Sequence, residues 1–219
     1  MRRTLARRFD ELEADIAQMQ PLLQLHGMLA TRRPLPQMTG YAIAPDFGVM
    51  LAQLVADQRP EVIVETGSGV STLILAYALE KLGRGRVVAL EHDPEYARRT
   101  REELERHGLE AYATVVDAPL EPVTIGGETH RWYAVGALPA GAIDLVVDDG
   151  PPRCAGDMLR YASLPILSKR MSRDGLFVLD VIGEEERAIL ARWQRELPEL
   201  RHERLATKKG NVLIRGCSV

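Results

Sequence analysis

Cysteine is nearly absent: Cys154 and Cys217 are the only two in 219 residues. Their separation fits neither a disulfide framework nor a metal-binding pair, and so sparse a usage suits a reducing compartment. No apolar run approaches the roughly 20 residues of a membrane-spanning helix. Arg2, Arg3, Arg7 and Arg8 are not followed by the apolar core of a secretory signal. Cytoplasm is therefore the expected location, with no membrane span. An excess of one charge is also lacking. The net charge is -3 with a pI near 6.0, and the arginines are interleaved with acids. That argues against general nucleic-acid binding and leaves a small molecule as the expected partner. With 46% hydrophobic and 27% charged residues, the length fits one globular domain plus a short appendage, without room for a second catalytic domain.

What is present is organised around Val62-Ile63-Val64-Glu65-Thr66-Gly67-Ser68-Gly69-Val70-Ser71-Thr72. A β-branched apolar run ends in a carboxylate, glycines follow at alternate positions, and a helix-like apolar pattern continues through Leu73, Leu75, Ala76, Leu79 and Leu82. This reads as strand, tight turn and helix. The glycines let the backbone approach a ligand, and the first helical turn offers unpaired N–H groups. A dinucleotide site wants a third small residue where this chain has Thr72, and it places a pyrophosphate on the helix N-terminus. Glu65 would repel a pyrophosphate but attract a cation. Glu91, closing the run Arg86-Val87-Val88-Ala89-Leu90-Glu91, is placed to accept from both hydroxyls of a ribose. The two acids favour S-adenosylmethionine, which has no phosphate and carries an ammonium and a sulfonium, over NAD.

Glu65-Thr66-Gly67-Ser68-Gly69-Val70-Ser71-Thr72, Glu91-His92-Asp93 and Asp149-Gly150-Pro151-Pro152, in that order, resemble the class I S-adenosylmethionine-dependent methyltransferases. The bacterial O-methyltransferase-like subgroup carrying these first and fourth motifs is the most similar, over roughly residues 38 to 215. The resemblance implies an α/β, Rossmann-like sheet of seven mostly parallel strands in the order 3-2-1-4-5-7-6. The last strand is antiparallel, helices lie on both faces, and an N-terminal helical extension precedes the domain. Residues 1–37 are assigned to that extension and 38–219 to the cofactor-binding domain. The cofactor residues implied are Glu65, Gly67, Ser68, Gly69, Ser71, Glu91, His92, Asp117 and Ala118, with a polar residue at Asp117-Ala118 reaching the adenine amine.

Elsewhere, Leu5, Phe9, Leu12, Ile16 and Met19 make a narrow apolar stripe on a helix that Pro21 ends or kinks. The stripe packs on its own domain or forms a homodimer seam. Met38, Gly40 and Tyr41 precede a helix over 46–57, and the resemblance implies that they are lid residues over the cofactor, with packing the equal alternative for Tyr41. Pro94 to His107 reads as a helix capped by Asp93, with His107 a solvated cation at its C-terminus. Alternation around Gly126-Gly127 predicts a hairpin whose Trp132 and Tyr133 pack it on the domain, a substrate wall being the weaker reading. Leu159 to Lys169 supplies most of a helix.

Glu65, Glu91, Asp117, Asp148, Asp149 and Asp180 all fall at carboxyl ends of predicted strands, where ligands gather in open α/β sheets. Asp149, with Asp148 beside it, is the candidate general base for a hydroxyl acceptor. Metal-dependent O-methyltransferases of the catechol type imply an alternative, with Asp149 and Asp180 holding Mg²⁺. Their third ligand position falls on Val181, which cannot ligate. An NAD-dependent oxidoreductase and an inert cofactor-binding scaffold are the rival functions.

Overall fold

The computed structural model describes residue 9 and residues 12–180 and 183–216. Leu5, Val181 and Cys217 lie outside the described residues. Seven strands form one sheet: β1 (Val62–Thr66), β2 (Arg86–Glu91), β3 (Ala113–Asp117), β6 (Ile143–Asp148), β7 (Met171–Leu179), β8 (Arg201–Arg204) and β9 (Val212–Arg215). Their order is β3-β2-β1-β6-β7-β9-β8, and β9 runs antiparallel to both neighbours. Setting aside the separate hairpin of β4 (Leu120–Ile125) and β5 (Glu128–Tyr133), this is the expected 3-2-1-4-5-7-6 layout.

Alternation along the buried strands divides the core between the two faces of the sheet. Ile63, Val87, Ala89, Leu145, Val147 and Val178 meet helices α1 (Met19–Leu29), α2 (Pro45–Gln58), α3 (Val70–Leu82) and α4 (Pro94–His107). Val64, Val88, Leu90, Val146, Phe177 and Leu179 face the hairpin, α5 (Ser163–Leu167) and α6 (Glu184–Glu196). The register places Thr66 beside Asp148 and Glu91 beside Asp117. Four strand ends thus share one rim.

Several expectations need adjusting. The N-terminal helix breaks at Ala17–Gln18, not at Pro21, which sits in the first turn of α1. There a missing N–H is harmless. Phe9, Leu12, Ile16 and Met19 are 53–62% exposed. Polar contacts hold this region instead: Gln18 Nε2 donates to Asp46 Oδ2 at 3.1 Å, and Lys208 pairs with Asp15. The 159–169 stretch is not one helix but a 3₁₀ turn (Leu159–Ala162), α5 and a second 3₁₀ turn (Ser168–Arg170). β7 begins at Met171, five residues before the apolar run that announced it.

His107 is also corrected: it is buried, with Nδ1 2.7 Å from the Tyr77 hydroxyl. Burial, helped by Arg106, Arg32 and Arg33, lowers its pKa. The helix C-terminus receives its positive charge from Arg32, whose Nε donates to the His107 carbonyl at 3.0 Å, so the imidazole is free to be neutral.

Candidate functional site

A cleft of about 720 Å³ opens at the carboxyl ends of the central strands, within the range of pockets that enclose a small ligand. Its floor is the glycine turn, where Gly67 and Gly69 take positive φ of 89° and 149°. Gly67 N donates to Leu90 O at 2.8 Å and Asp149 N donates to Thr66 O at 3.2 Å, so the turn is stitched to the ends of β2 and β6.

Glu65 is fully buried beneath this turn. Its Oε2 accepts from Thr72 Oγ1 at 2.6 Å, while Oε1 has no partner among the described residues. Thr72 Oγ1 in turn lies 3.0 Å from the Gly69 N–H, which donates to it. Thr72, read as unsuited to a dinucleotide, therefore ties the acid to the turn. Burial raises the Glu65 pKa to about 7, against the opposing pull of the Ser71 and Thr72 hydroxyls. Ser71 is itself buried.

Glu91 stands at the next strand end with its Oε2 accepting from Ser68 Oγ at 2.8 Å and Oε1 from Asp93 N at 3.1 Å. His92 lines the cleft beside it, Nδ1 lying 3.1 Å from Glu91 Oε1 without hydrogen-bond alignment. Asp117 turns outward, largely exposed, and pairs with Arg101 Nη2 at 2.7 Å. Ala118 stays close through its N–H, which donates to Glu91 O at 2.8 Å.

The acids at the ends of β6 and β7 are arranged differently. Asp148 is wholly buried under the floor, its Oδ1 accepting from Thr66 Oγ1 at 2.6 Å and Ser163 Oγ at 2.9 Å. Burial raises it to about 6, opposed by Arg160 and the two hydroxyls. Asp149 is half-buried and lines the cleft. Burial first and the facing Asp180 carboxyl second push it well above the ordinary carboxylate range. Asp180 is buried and accepts from Asn211 Nδ2.

Arg160 sits among these groups, nearly buried. It donates to the carbonyls of Asp180 at 2.9 Å, Asp149 at 3.0 Å and Pro151 at 3.3 Å. Sequence reasoning missed Arg160, Asn211 and Ser163, none of which stands in a recognisable motif. Of the lid candidates, Gly40 and Tyr41 line the cleft, whereas Met38 packs inward near Gly48. Lys209 Nζ holds this segment by donating to Ala42 O at 2.6 Å. Tyr133 also reaches the cleft. His130 does not; it packs on Tyr161, ring centroids 4.7 Å apart.

A family model described as a methyltransferase domain matches residues 64–181, from the glycine turn through the end of β7. This chain belongs to that methyltransferase family. No curated protein sequence matches it significantly. The methyltransferase fold is shared with solved structures. Rv0187 from MTB, in a cofactor-bound form, is 21% identical with a TM-score of 0.62, covering 93% of this chain and 91% of its own. An O-methyltransferase from Bacillus cereus in complex with SAH is 18% identical with a TM-score of 0.60, covering 91% and 90%. The O-methyltransferase TomG from Streptomyces achromogenes, in complex with SAM, is 17% identical with a TM-score of 0.59, covering 91% and 88%. The methyltransferase match spans the turn bearing Glu65, Glu91 at the end of β2, and both acids flanking Arg160, and so takes in most of the cleft lining, while Gly40, Tyr41, Gly183, Glu186 and Lys209 complete it from outside the matched region. Among the described residues no helix is long and apolar enough to cross a membrane.

Proposed function

We propose that this methyltransferase uses S-adenosylmethionine to methylate a hydroxyl of a small molecule, a sugar or a secondary metabolite, with Asp149 receiving the hydroxyl proton. The observation that carries the cofactor is the buried Glu65 Oε1 at the end of β1, which has no hydrogen-bond partner, with no basic side chain bonded to its carboxylate, among the described residues. A buried acceptor without a donor is costly, and a ligand ammonium would satisfy it. SAM and SAH in the structural neighbours agree with this choice.

In this reading Glu65 and the Gly67–Gly69 turn hold the amino-acid end, Glu91 the ribose hydroxyls, and His92 with the Ala118 backbone the adenine end. Bound there, the cofactor supplies an activated methyl group on a positively charged sulfur. The protein's part is alignment, and disposal of the acceptor's proton. Of the three aspartates at the ends of β6 and β7, Asp149 is the one that lines the cleft, and burial with the nearby Asp180 carboxyl pushes it well above the ordinary carboxylate range. Its raised pKa makes the ionised Asp149 carboxylate a strong base, and in that form it takes the acceptor proton. Asp148, sealed beneath the floor, accepts from the Thr66 and Ser163 hydroxyls instead.

Asp149 and Asp180 do not complete a Mg²⁺ site. Among the described residues no three histidine, cysteine or acidic side chains are grouped to hold a metal. The third position is the apolar Val181, and Arg160 already supplies positive charge between the two acids. No step is assigned to a metal.

Calorimetry with S-adenosylmethionine tests the proposal. Saturable binding to the folded protein is expected; no heat at millimolar ligand would remove the cofactor assignment.

A further inference from the structure

The β4–β5 hairpin inserts two adjacent aromatics into the domain, and they are treated differently. Trp132 is fully buried and its Nε1 donates to Ser163 Oγ at 3.0 Å. Ser163 continues to Asp148, Asp148 to Thr66, and Thr66 Oγ1 to the Gly150 carbonyl at 3.0 Å. One end of the hairpin is thus wired into the loop after β6. Tyr133 is also fully buried, yet its hydroxyl has no partner among the described residues.

That hydroxyl is not lost in an apolar core. Tyr133 lines the cleft, with its ring edge-on to His92 at 6.1 Å and 78°. A Cβ added to Gly150 would lie 2.5 Å from the Tyr133 oxygen and 3.1 Å from Gly67 N. The phenol therefore occupies the seam between the glycine turn and the loop after β6, with Glu91 and His92 on its other side. Buried hydroxyls almost always find a partner, and one left vacant in the wall of a binding cleft points to a ligand atom.

We propose that Tyr133 is a ligand-binding residue whose phenolic hydroxyl bonds the nucleoside end of the cofactor, so that the inserted hairpin completes the site. The inference rests on the S-adenosylmethionine reading. Burial, together with Glu91, Asp148 and Asp149, raises the Tyr133 pKa well above that of an ordinary tyrosine. The group is thus an O–H donor, and it needs an acceptor such as a ribose oxygen or an adenine ring nitrogen. Its cleft neighbours Glu91 and His92 stand at the ribose and adenine ends of that reading. The amino-acid end falls to Glu65.

The test is Tyr133→Phe, which deletes one oxygen. Affinity for S-adenosylhomocysteine and for 5′-deoxy-5′-methylthioadenosine, which keeps the nucleoside but lacks the amino-acid group, is measured by calorimetry on wild type and variant. Both ligands should bind the variant about tenfold more weakly, equivalent to about 1.4 kcal/mol. The ligand-free variant should melt no lower than wild type, because a buried hydroxyl without a partner is lost. Equal affinities in wild type and variant would overturn the proposal and leave the cofactor reading standing. So would a loss confined to S-adenosylhomocysteine, which would move the contact to the amino-acid end. A lowered melting temperature of the ligand-free variant together with weaker binding would mark a packing role and also overturn it. If wild type binds neither ligand, the cofactor reading fails first.

Discussion

The two ends of the cleft balance their charges in opposite ways. Around β1 and β2, Glu65 and Glu91 are held by hydroxyls and backbone N–H groups, and no arginine or lysine contributes to the raised pKa of Glu65. Around β6 and β7, Asp148, Asp149, Asp180 and Glu186 share the field of one buried guanidinium, Arg160. The first end is incomplete without a cation from outside. The second carries its own cation. Stability should therefore depend on the second end, and ligand affinity on the first.

Arg160→Met breaks that comparison at its strongest point. The variant loses three hydrogen bonds to main-chain carbonyls and leaves several acids facing one another without a cation. Breaking a buried charge set by removing one member costs about 3–5 kcal/mol. Urea unfolding of the ligand-free protein should show a loss of that size. An unchanged midpoint would mean that the β6–β7 acids are not held by Arg160.

The next largest effect concerns pH. Glu65 has a folded pKa of about 7 against an ordinary value of 4.5, so between these values the native state binds the extra proton. Its contribution to stability is full below about pH 4.5 and is lost as pH rises through about 7. The loss amounts to roughly 3 kcal/mol, at about 1.4 kcal/mol for each pH unit between the two values. Asp148, raised from 3.8 to about 6, adds a decline of the same sign at lower pH. Unfolding free energies of the ligand-free protein should fall from pH 5 to 8, and Glu65→Gln should flatten the upper part of that fall while weakening S-adenosylmethionine. A Gln variant with the wild-type slope would show that Glu65 is not the strained group.

Asp149→Asn tests the other end without dismantling it. Turnover should drop by about 10²–10⁴, the usual contribution of a positioned general base, with cofactor affinity nearly unchanged. A parallel loss of affinity would place Asp149 in the cofactor-binding end and blur the division between the two.

The β1–β2 end was legible in the sequence because its parts are close along the chain: strand, carboxylate, alternate glycines and helix follow one another within residues 62–72. The α4 boundary was legible for the same reason, since Asp93 Oδ1 accepts from Glu95 N at 2.8 Å, a cap written in adjacent residues. The β6–β7 end was half legible. Its acids announce themselves at strand ends, but Arg160 reaches Asp180 across 20 positions and Asn211 reaches it across 31. Nothing local marks either partner. His107 was misread for a related reason: the helix terminus favours a cation, and Arg32, distant in sequence, already provides it. Tyr133 was read first as a packing residue and is buried, while the closeness of its hydroxyl to Gly150 depends on a loop far along the chain.

The smallest expected effect falls on Asp117, which the sequence placed at the adenine end. Its side chain is 65% exposed and paired with Arg101, and it does not line the cleft, whereas the neighbouring Ala118 N–H is fastened to the Glu91 carbonyl. An exposed ion pair contributes about 0–1 kcal/mol. Asp117→Ala should accordingly change S-adenosylmethionine affinity by less than about threefold. A loss of about tenfold or more would mean that Asp117 leaves Arg101 to bond the adenine amine. The incomplete end of the cleft would then extend one strand further than its unpartnered groups indicate.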